Sequence, residues 1–421
     1  MIYDFTAERA AYNVLKSVFV DKAYSSIELD RALAGAADKY RGRITAIVYG
    51  VLEKSVVCDY IIETLANKRP KSNIEILLKM AISDLLFNQD PAYAVIDKYV
   101  QFAKERFSGA QGFVNAVLKK VSTVKLPEGN DAKSISVRFS CPVWVVKRLI
   151  CDYGIQKTVS ILSCNLQKGT HIRLNNRKTD KAKLAKKLNN SDKNNDIIPS
   201  KLGYYVTRNI LTSLKFDEFT PQSLSSMKAV NIYAEGLMPG AEVLDVCAAP
   251  GGKSIYLEEL VPSKIYACDV HPHRVELIKS YMLRMGSGIT AMLNDGLVLK
   301  QEWKNKFDLV ICDVPCSGSG LVKSSPDILL FKSDKDVEML TKLQERILSV
   351  SAEYVKVGGM LAYSTCSMFV SENESIADKL GANRNFEILP PEENKAAKYT
   401  SFFPDTDGCD GFFIAKWKRV R

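Results

Sequence analysis

Two short stretches end in a thiol. Residues 362–369 read AYSTCSMF and residues 312–320 read CDVPCSGSG, and each follows an apolar run, MLAYSTC and FDLVICD. A free cysteine is by default a small core residue. A cysteine where a strand ends is also a candidate nucleophile, because open α/β sheets present their chemistry at the carboxyl ends of their strands. Cys366 and Cys316 are therefore the candidate catalytic residues. The other cysteines are Cys58, Cys141, Cys151, Cys164, Cys247, Cys268, Cys312 and Cys409. No Cys-x-x-Cys pair occurs and there are only 3 histidines, so neither a disulfide framework nor a zinc site is expected. Cys268 and Cys312 lie inside strand-like runs and read as core.

A second constellation precedes them. LDVCAAPGGKS (244–254) has the form of a strand, a tight turn and a helix start, and Gly251 and Gly252 allow close approach of the backbone to a ligand. Neither the G-x-G-x-x-G of dinucleotide binders nor the phosphate-loop pattern is present, which favours a cofactor without a pyrophosphate, such as S-adenosylmethionine. Asp269, Asp295 and Asp313 then end successive strand-like runs. Asp269 stands near the spacing from Asp245 at which doubly wound folds hold a ribose, and Asp295 ends the next strand, where an adenine edge could lie. An aspartate at a strand end can also be a turn residue; three in register favour a binding role. Exocyclic amine methyltransferases carry Asn/Asp-Pro-Pro-aromatic at this point, whereas this chain has Asp313-Val314-Pro315-Cys316.

The elements that must position these residues fall into three parts of a 421-residue chain, which is long enough for two to four domains. Residues 1–127 show helical periodicity. AYAVIDKYVQFAKERF (92–107) puts Ala92, Val95, Ile96, Tyr99, Val100 and Ala103 on one face, and NIEILLKMAISDLLFN (73–88) is apolar nearly all round, as a central bundle helix would be. GFVNAVLKKV adds a short helix, and LPEGNDAKS (126–134) breaks the pattern. Residues 135–225 are mixed: VWVVKRLICDYG predicts a helix stopped by Gly154, HIRLNN a short strand, and the lysine-rich run 177–196 a solvated helix and loop, with RNA contact as the alternative. Residues 226–421 alternate strand and helix, with strands at EVLDVC, KIYACDV, TAMLND, FDLVICDV, MLAYSTC (introduced by a two-glycine turn) and GFFIAKWK. That alternation implies a parallel sheet covered by helices on both faces.

Hydrophobic residues make up 46% and charged residues 25%, so each part can bury a core, and the formal net charge of +10 favours a polyanionic partner. No apolar run approaches the ~20 residues of a membrane span and no leader pattern opens the chain; a cytoplasmic protein is expected, with no membrane partner and no metal.

Together, CAAPGGK, DVPCSGSG and YSTCS resemble the RNA cytosine-5-methyltransferase family, also called the Sun family. The resemblance extends to ILLKMAISDLLF, PAYAVIDKYVQFAK and GFVNAVLKK, which are similar to a NusB-type RNA-binding domain, and to SCPVWVVKRL, HIRLNN and PQSLSSMKAV, similar to the domain that precedes catalysis in this family. It implies an all-α NusB-like domain, a small α+β middle domain and a Rossmann-like α/β methyltransferase domain. It also implies an S-adenosylmethionine-dependent reaction at carbon 5 of a cytosine in small-subunit ribosomal RNA, by a monomer. The chemistry of the residues does not choose between the two thiols. The resemblance implies that Cys366, of the Thr-Cys motif, attacks carbon 6, and that Cys316, of the Pro-Cys motif, resolves the covalent intermediate. It places Cys247, Ala248, Ala249, Pro250, Gly251, Gly252 and Lys253 in the cofactor loop, with Asp269, Asp295 and Asp313 beside it. Asp313 could also supply the hydrogen bond to the ring nitrogen on which the addition depends. The chain departs from the family's usual pattern at SSPDILLFK (324–332), which lacks a tryptophan and has Ser325 before Pro326, at Val314, and at Gln222-Ser223. Two other readings remain: the same chemistry on tRNA, or a NusB-like RNA-binding or antitermination factor without activity.

Overall fold

The structure, a computed structural model, describes residues 3–87, 90–178, 180, 184, 188, 197–325, 327–392 and 394–421. The chain forms two compact units, Met1–Leu162 with Ser325–Phe331, and Ser163–Ser324 with Lys332–Arg421.

The first unit is helical: α1 (Thr6–Val20), α2 (Ser25–Ala34), α3 (Asp38–Glu53), α4 (Ser55–Leu65), α5 (Ser72–Phe87), α6 (Ala92–Arg106), α7 (Gln111–Leu118), α8 (Ala132–Phe139) and α9 (Val143–Ser163). The all-round apolar pattern of α5 is explained by its burial: every residue from Ile76 to Asp84 is inside. The two charged residues of that buried stretch are paired, Lys79 with Asp59 at 2.9 Å and Asp84 with Arg43, because an unpaired charge at such depth would be strongly destabilising. On α6 the buried set is Val95, Tyr99, Phe102 and Ala103; Ala92 is exposed and Phe102 takes the inner position instead. The break expected at 126–134 ends early, since the Asp131 side chain caps α8 by accepting the Lys133 and Ser134 N–H groups. Gly154, at φ 78°, interrupts α9 where the sequence placed a stop. The short helix α14 (Asp327–Leu330), in the stretch that departs from the family pattern, belongs to this unit: Ser25 Oγ donates to Asp327 at 2.5 Å and Phe331 packs edge-on against Phe19.

The second unit holds two sheets. β1 (Thr170–Leu174), β2 (Ile197–Ser200), β3 (Gly203–Val206) and β4 (Phe219–Pro221) form an antiparallel sheet in the order β2-β3-β1-β4, and α10 (Arg208–Ser213) lies between β3 and β4 in the chain. The lysine-rich run lies for the most part outside the described residues. Its first two members, Arg177 and Lys178, donate to the carbonyls of Gly286 and Leu283 at the C-terminal end of α13 (Pro272–Met285).

The larger sheet contains β5 (Glu242–Asp245), β6 (Lys264–Asp269), β7 (Thr290–Leu293), β8 (Phe307–Asp313), β9 (Val355–Thr365), β10 (Phe386–Ile388), β11 (Thr400–Phe402) and β12 (Phe412–Arg419). The order is β10-β12-β9-β8-β5-β6-β7, with β11 on β12. β5 to β9 pair in parallel; β12 runs antiparallel to β9. Alternate residues feed opposite faces: Val243, Leu309 and Ile311 enter one core with helices α11 (Leu224–Ala234), α12 (Gly252–Leu260) and α13, while Leu244, Val310 and Cys312 enter the other with α15 (Asp334–Ala352) and α16 (Glu374–Gly381). Cys268 and Cys312 are core residues, as their position inside strands requires. The two glycines before MLAYSTC are not a turn. β9 runs through them, and Gly358 and Gly359 lie within a register shift between the pairs Phe307↔Val355 and Leu309↔Met360. A bulge absorbs extra residues without ending the strand, a role that Gly358 at φ 84° suits.

Candidate active site

Chain order reverses at β5, which has β6 on one side and β8 on the other. A doubly wound sheet opens a crevice at the carboxyl end of such a point, because the connections leave toward opposite faces. The candidate residues gather there.

The stretch after β5 makes the turn the sequence required. Ala248 N–H bonds the Cys268 carbonyl at 2.7 Å, Gly251 N–H bonds the Ala248 carbonyl at 2.7 Å, and Gly251, at φ 101°, caps α12. A Cβ there would meet Ile278 at 3.2 Å as well as strain the backbone. Cys247, Ala249, Gly252 and Lys253 are half-buried, Ala248 and Gly251 are buried, and Pro250 is exposed. Burial pushes the Cys247 thiol up, which keeps it inert. Asp269, buried at the end of β6, accepts the His271 N–H at 2.9 Å and has Arg274 at 3.8 Å. Asp295 stands two residues beyond β7, exposed, and accepts the Leu297 N–H; Asn294, before it, is buried. The residues fit a ligand bearing both donors and acceptors: the buried Asp245 Oδ1, on the last residue of β5, and Asn294 Nδ2, just past β7 on the far side of β6, have no partner among the described residues.

Beyond β8 and β9 lie the two cysteines. Asp313 pairs with Ser364 across the strands, and Val314 N–H continues the ladder to the Ser364 carbonyl. The loops then touch: Gly320 N–H bonds the Cys366 carbonyl at 2.9 Å, and a Cβ on Gly320 would fall 2.8 Å from that oxygen and 2.1 Å from the Gly411 carbonyl. The Cys316 and Cys366 sulfurs lie 3.1 Å apart, in contact but unbonded. Both residues are half-buried, while the rest of 361–369 and 317–320 is buried.

Asp313 completes the array. Its Oδ2 pairs with Lys253 at 2.6 Å and its Oδ1 accepts Ser364 Oγ–H at 2.8 Å; the buried Tyr233 hydroxyl in turn donates to Ser364 Oγ at 2.5 Å. The hydrogen bond from Cys316 draws the Cys366 thiol below the usual range against the opposing pull of desolvation, and the Lys253 ammonium assists. Cys316, as the donor of that bond and as a desolvated group, is pushed well up. The contact therefore shifts the two thiols in opposite directions, Cys366 down and Cys316 up.

Several supporting residues gave no signal in the sequence. Glu372, fully buried, accepts Ser317 N–H, Gln344 Nε2–H and Ser367 Oγ–H. Asn373 accepts Thr365 Oγ1–H and donates to the Ser367 carbonyl. Tyr233, Gln344 and Ser364 are likewise remote in sequence or bland in type. At the Gln222-Ser223 departure, Gln222 accepts from Arg173 and Ser223 caps α11, so the serine does locally what an aspartate would. Among the described residues there is no group of three or more His, Cys, Asp and Glu fit to hold a metal ion, and no helix long and apolar enough to cross a membrane.

Comparison with known proteins bears on the family and the fold. The family described as 16S rRNA methyltransferase RsmB/F matches residues 236–418, and the NusB family matches residues 6–123. The probable ribosomal RNA small subunit methyltransferase B of Bacillus subtilis is 30% identical over 434 residues, covering 95% of each chain. The solved structure of the protein PH0851 covers 100% of each chain with a TM-score of 0.81 at 21% identity, which supports the fold. A methyltransferase homolog protein from Pyrococcus horikoshii, 27% identical, covers 68% of this chain and 97% of its own with a TM-score of 0.57. The chain belongs to the RsmB/F family of 16S rRNA methyltransferases, with a NusB-family segment ahead of its methyltransferase sheet.

Proposed function

We propose that this protein methylates carbon 5 of a cytosine in small-subunit ribosomal RNA, using S-adenosylmethionine and a covalent bond between Cys366 and carbon 6 of the base. The observation that carries the reading is the pair of sulfurs 3.1 Å apart at neighbouring strand ends. Carbon 5 and carbon 6 are bonded to each other, so groups that act on both must themselves be adjacent.

The turn 247–253 with Asp269, Asp295 and Asp313 would hold S-adenosylmethionine, which when bound supplies an electrophilic methyl group for carbon 5. The chain's own residues do the rest. The Cys366 thiolate adds to carbon 6, forming a C–S bond and turning the ring into an enamine whose carbon 5 is nucleophilic. Asp313, which as a carboxylate accepts rather than donates, holds the Lys253 ammonium at 2.6 Å beside the cysteines, and that ammonium N–H is in a position to hydrogen-bond the ring nitrogen as the negative charge moves onto the base. After methyl transfer, Cys316, once its own proton has passed to water, takes the carbon-5 proton as a thiolate; the electron pair of that C–H bond re-forms the 5,6 double bond and expels Cys366 as thiolate. The helical unit and the excess of 58 Lys and Arg over 48 Asp and Glu supply contacts to a polyanion.

The domain limits 1–127, 135–225 and 226–421 are part of this proposal. Bisulfite sequencing of ribosomal RNA from a strain lacking the gene tests it. Loss of one 5-methylcytosine from the small-subunit RNA, restored by the wild-type gene and not by Cys366→Ala, is the expected result; an unchanged ribosomal pattern with a lost tRNA signal would move the substrate to tRNA.

A further inference from the structure

The cysteines come from loops 50 residues apart in sequence, and strand pairing ends before either of them. What then fixes their sulfurs in contact? On the Cys316 side, both flanking residues are held: the Pro315 carbonyl accepts from Gln344 Nε2 at 2.8 Å and Ser317 N–H donates to Glu372 Oε1 at 2.8 Å. On the Cys366 side, the next residue is held: Ser367 Oγ–H donates to Glu372 Oε2 at 2.6 Å. Gln344 Nε2 also donates to Glu372 Oε1 at 2.9 Å, so the two anchors are joined. Glu372 and Gln344 are both fully buried, and every bond to the Glu372 carboxylate comes from an N–H or O–H group rather than from a cation. Such a group is costly to bury, and its three donors all lead to the cysteine loops or to their shared anchor.

We infer that Glu372 is a positioning residue: with Gln344 it ties the loop of Cys316 to the loop of Cys366 and sets the distance between the two sulfurs. It touches neither thiol. Its effect on the proposed reaction, on which this inference rests for its catalytic meaning, is to keep attack at carbon 6 and proton removal at carbon 5 within reach of one base.

The test uses the full-length protein and two independent readouts. The first needs no RNA: diamide oxidises two adjacent thiols to a disulfide, taking two electrons and two protons to become the hydrazine. The Cys316–Cys366 cross-link is followed by mass spectrometry. The second is steady-state methylation of small-subunit RNA. Glu372→Ala should slow cross-linking at least about tenfold and lower kcat by about a hundredfold, while KM for RNA and the affinity for S-adenosylmethionine stay within about threefold. Glu372→Gln should restore both to within about threefold of wild type, because its carbonyl still accepts the two N–H groups and its amide can donate to Ser367 Oγ once that hydroxyl turns. Should Glu372→Ala not fold, Ser367→Ala decides: it removes the tie from Glu372 to the Cys366 loop, with the contacts of that hydroxyl to Ser317 and Ser319, and should slow cross-linking by about threefold or more. Unchanged cross-linking in whichever variant folds, or a Gln variant as impaired as the Ala variant, overturns the inference. A wild-type protein that cross-links readily but forms no 5-methylcytosine would count against the proposed reaction and leave the tie between the loops standing.

Discussion

Cys316 and Cys366 face one another sulfur to sulfur, and the Asp313 and Ser364 that precede them are paired across neighbouring parallel strands. The two thiols are unequal in this arrangement: their contact shifts Cys366 down and Cys316 up. Loss of Cys316 should therefore leave attack possible and impair release. Cys316→Ala should accumulate a protein–RNA adduct that survives denaturing electrophoresis and disappears with ribonuclease. Cys366→Ala should give none and should methylate nothing. An adduct trapped only in the Cys366 variant would assign the attack to the Pro-Cys loop.

Lys253 holds Asp313 at 2.6 Å and, through its charge, helps draw the Cys366 thiol below its usual range. In Lys253→Met the ammonium is gone and the Asp313 carboxylate is unpaired, so both changes raise the Cys366 thiol. The thiolate is the active form. The acid limb of the pH–rate profile should therefore move to higher pH in the variant, by about one unit, with recovery of rate in alkaline buffer. A profile that is merely scaled down at every pH would mean that Lys253 acts only on the cofactor or the RNA.

Much of this site was legible in the sequence because open sheets tie chemistry to strand ends, and strand ends can be read from apolar runs. Asp269, Asp313, Cys316 and Cys366 were each found that way. The misreadings have local causes. A glycine pair signals a turn or a bulge equally well, and only the partner strand decides; β8 made it a bulge. On α6 the face was assigned by period alone, and Phe102 displaced Ala92 because the larger ring buries more apolar surface. Glu372 and Gln344 were invisible for another reason: one is an ordinary acid and the other a glutamine on an amphipathic helix, and their partnership exists only after β8, α15 and β9 have come together.

Asp269 combines two roles that a single measurement can separate. It already accepts the His271 N–H, which shapes the turn after β6. If it also accepts from a ribose hydroxyl, Asp269→Ala should weaken S-adenosylmethionine binding by about 1.5–3 kcal/mol, the range for a hydrogen bond to a charged group. Titration calorimetry on the wild-type and variant proteins measures this. An unchanged dissociation constant would leave only the turn.

Asp245 should make stability fall with pH. It is 1% exposed, accepts the Ser254 hydroxyl at 2.5 Å and leaves its other oxygen without a partner among the described residues. Burial, opposed by that hydrogen bond, pushes its carboxyl to about 7. In the unfolded chain it ionises near pH ~3.9. Between these values the folded state holds a proton that the unfolded state has lost, so raising the pH favours unfolding across that window and has no further effect above it. One pKa unit corresponds to about 1.36 kcal/mol, which puts an upper bound of roughly 4 kcal/mol on the contribution of this group. Asp245→Asn removes the titration while keeping an acceptor for Ser254. The measurement is urea unfolding without cofactor at intervals from pH 5 to 8, followed by the fluorescence of Trp303 and Trp417, both in the methyltransferase unit. The stability of wild type relative to the variant should decline steadily to about pH 7 and then level off. A difference that stays constant across the range would mean that Asp245 is ionised in the folded protein, and that its free oxygen has a charge-stabilising neighbour.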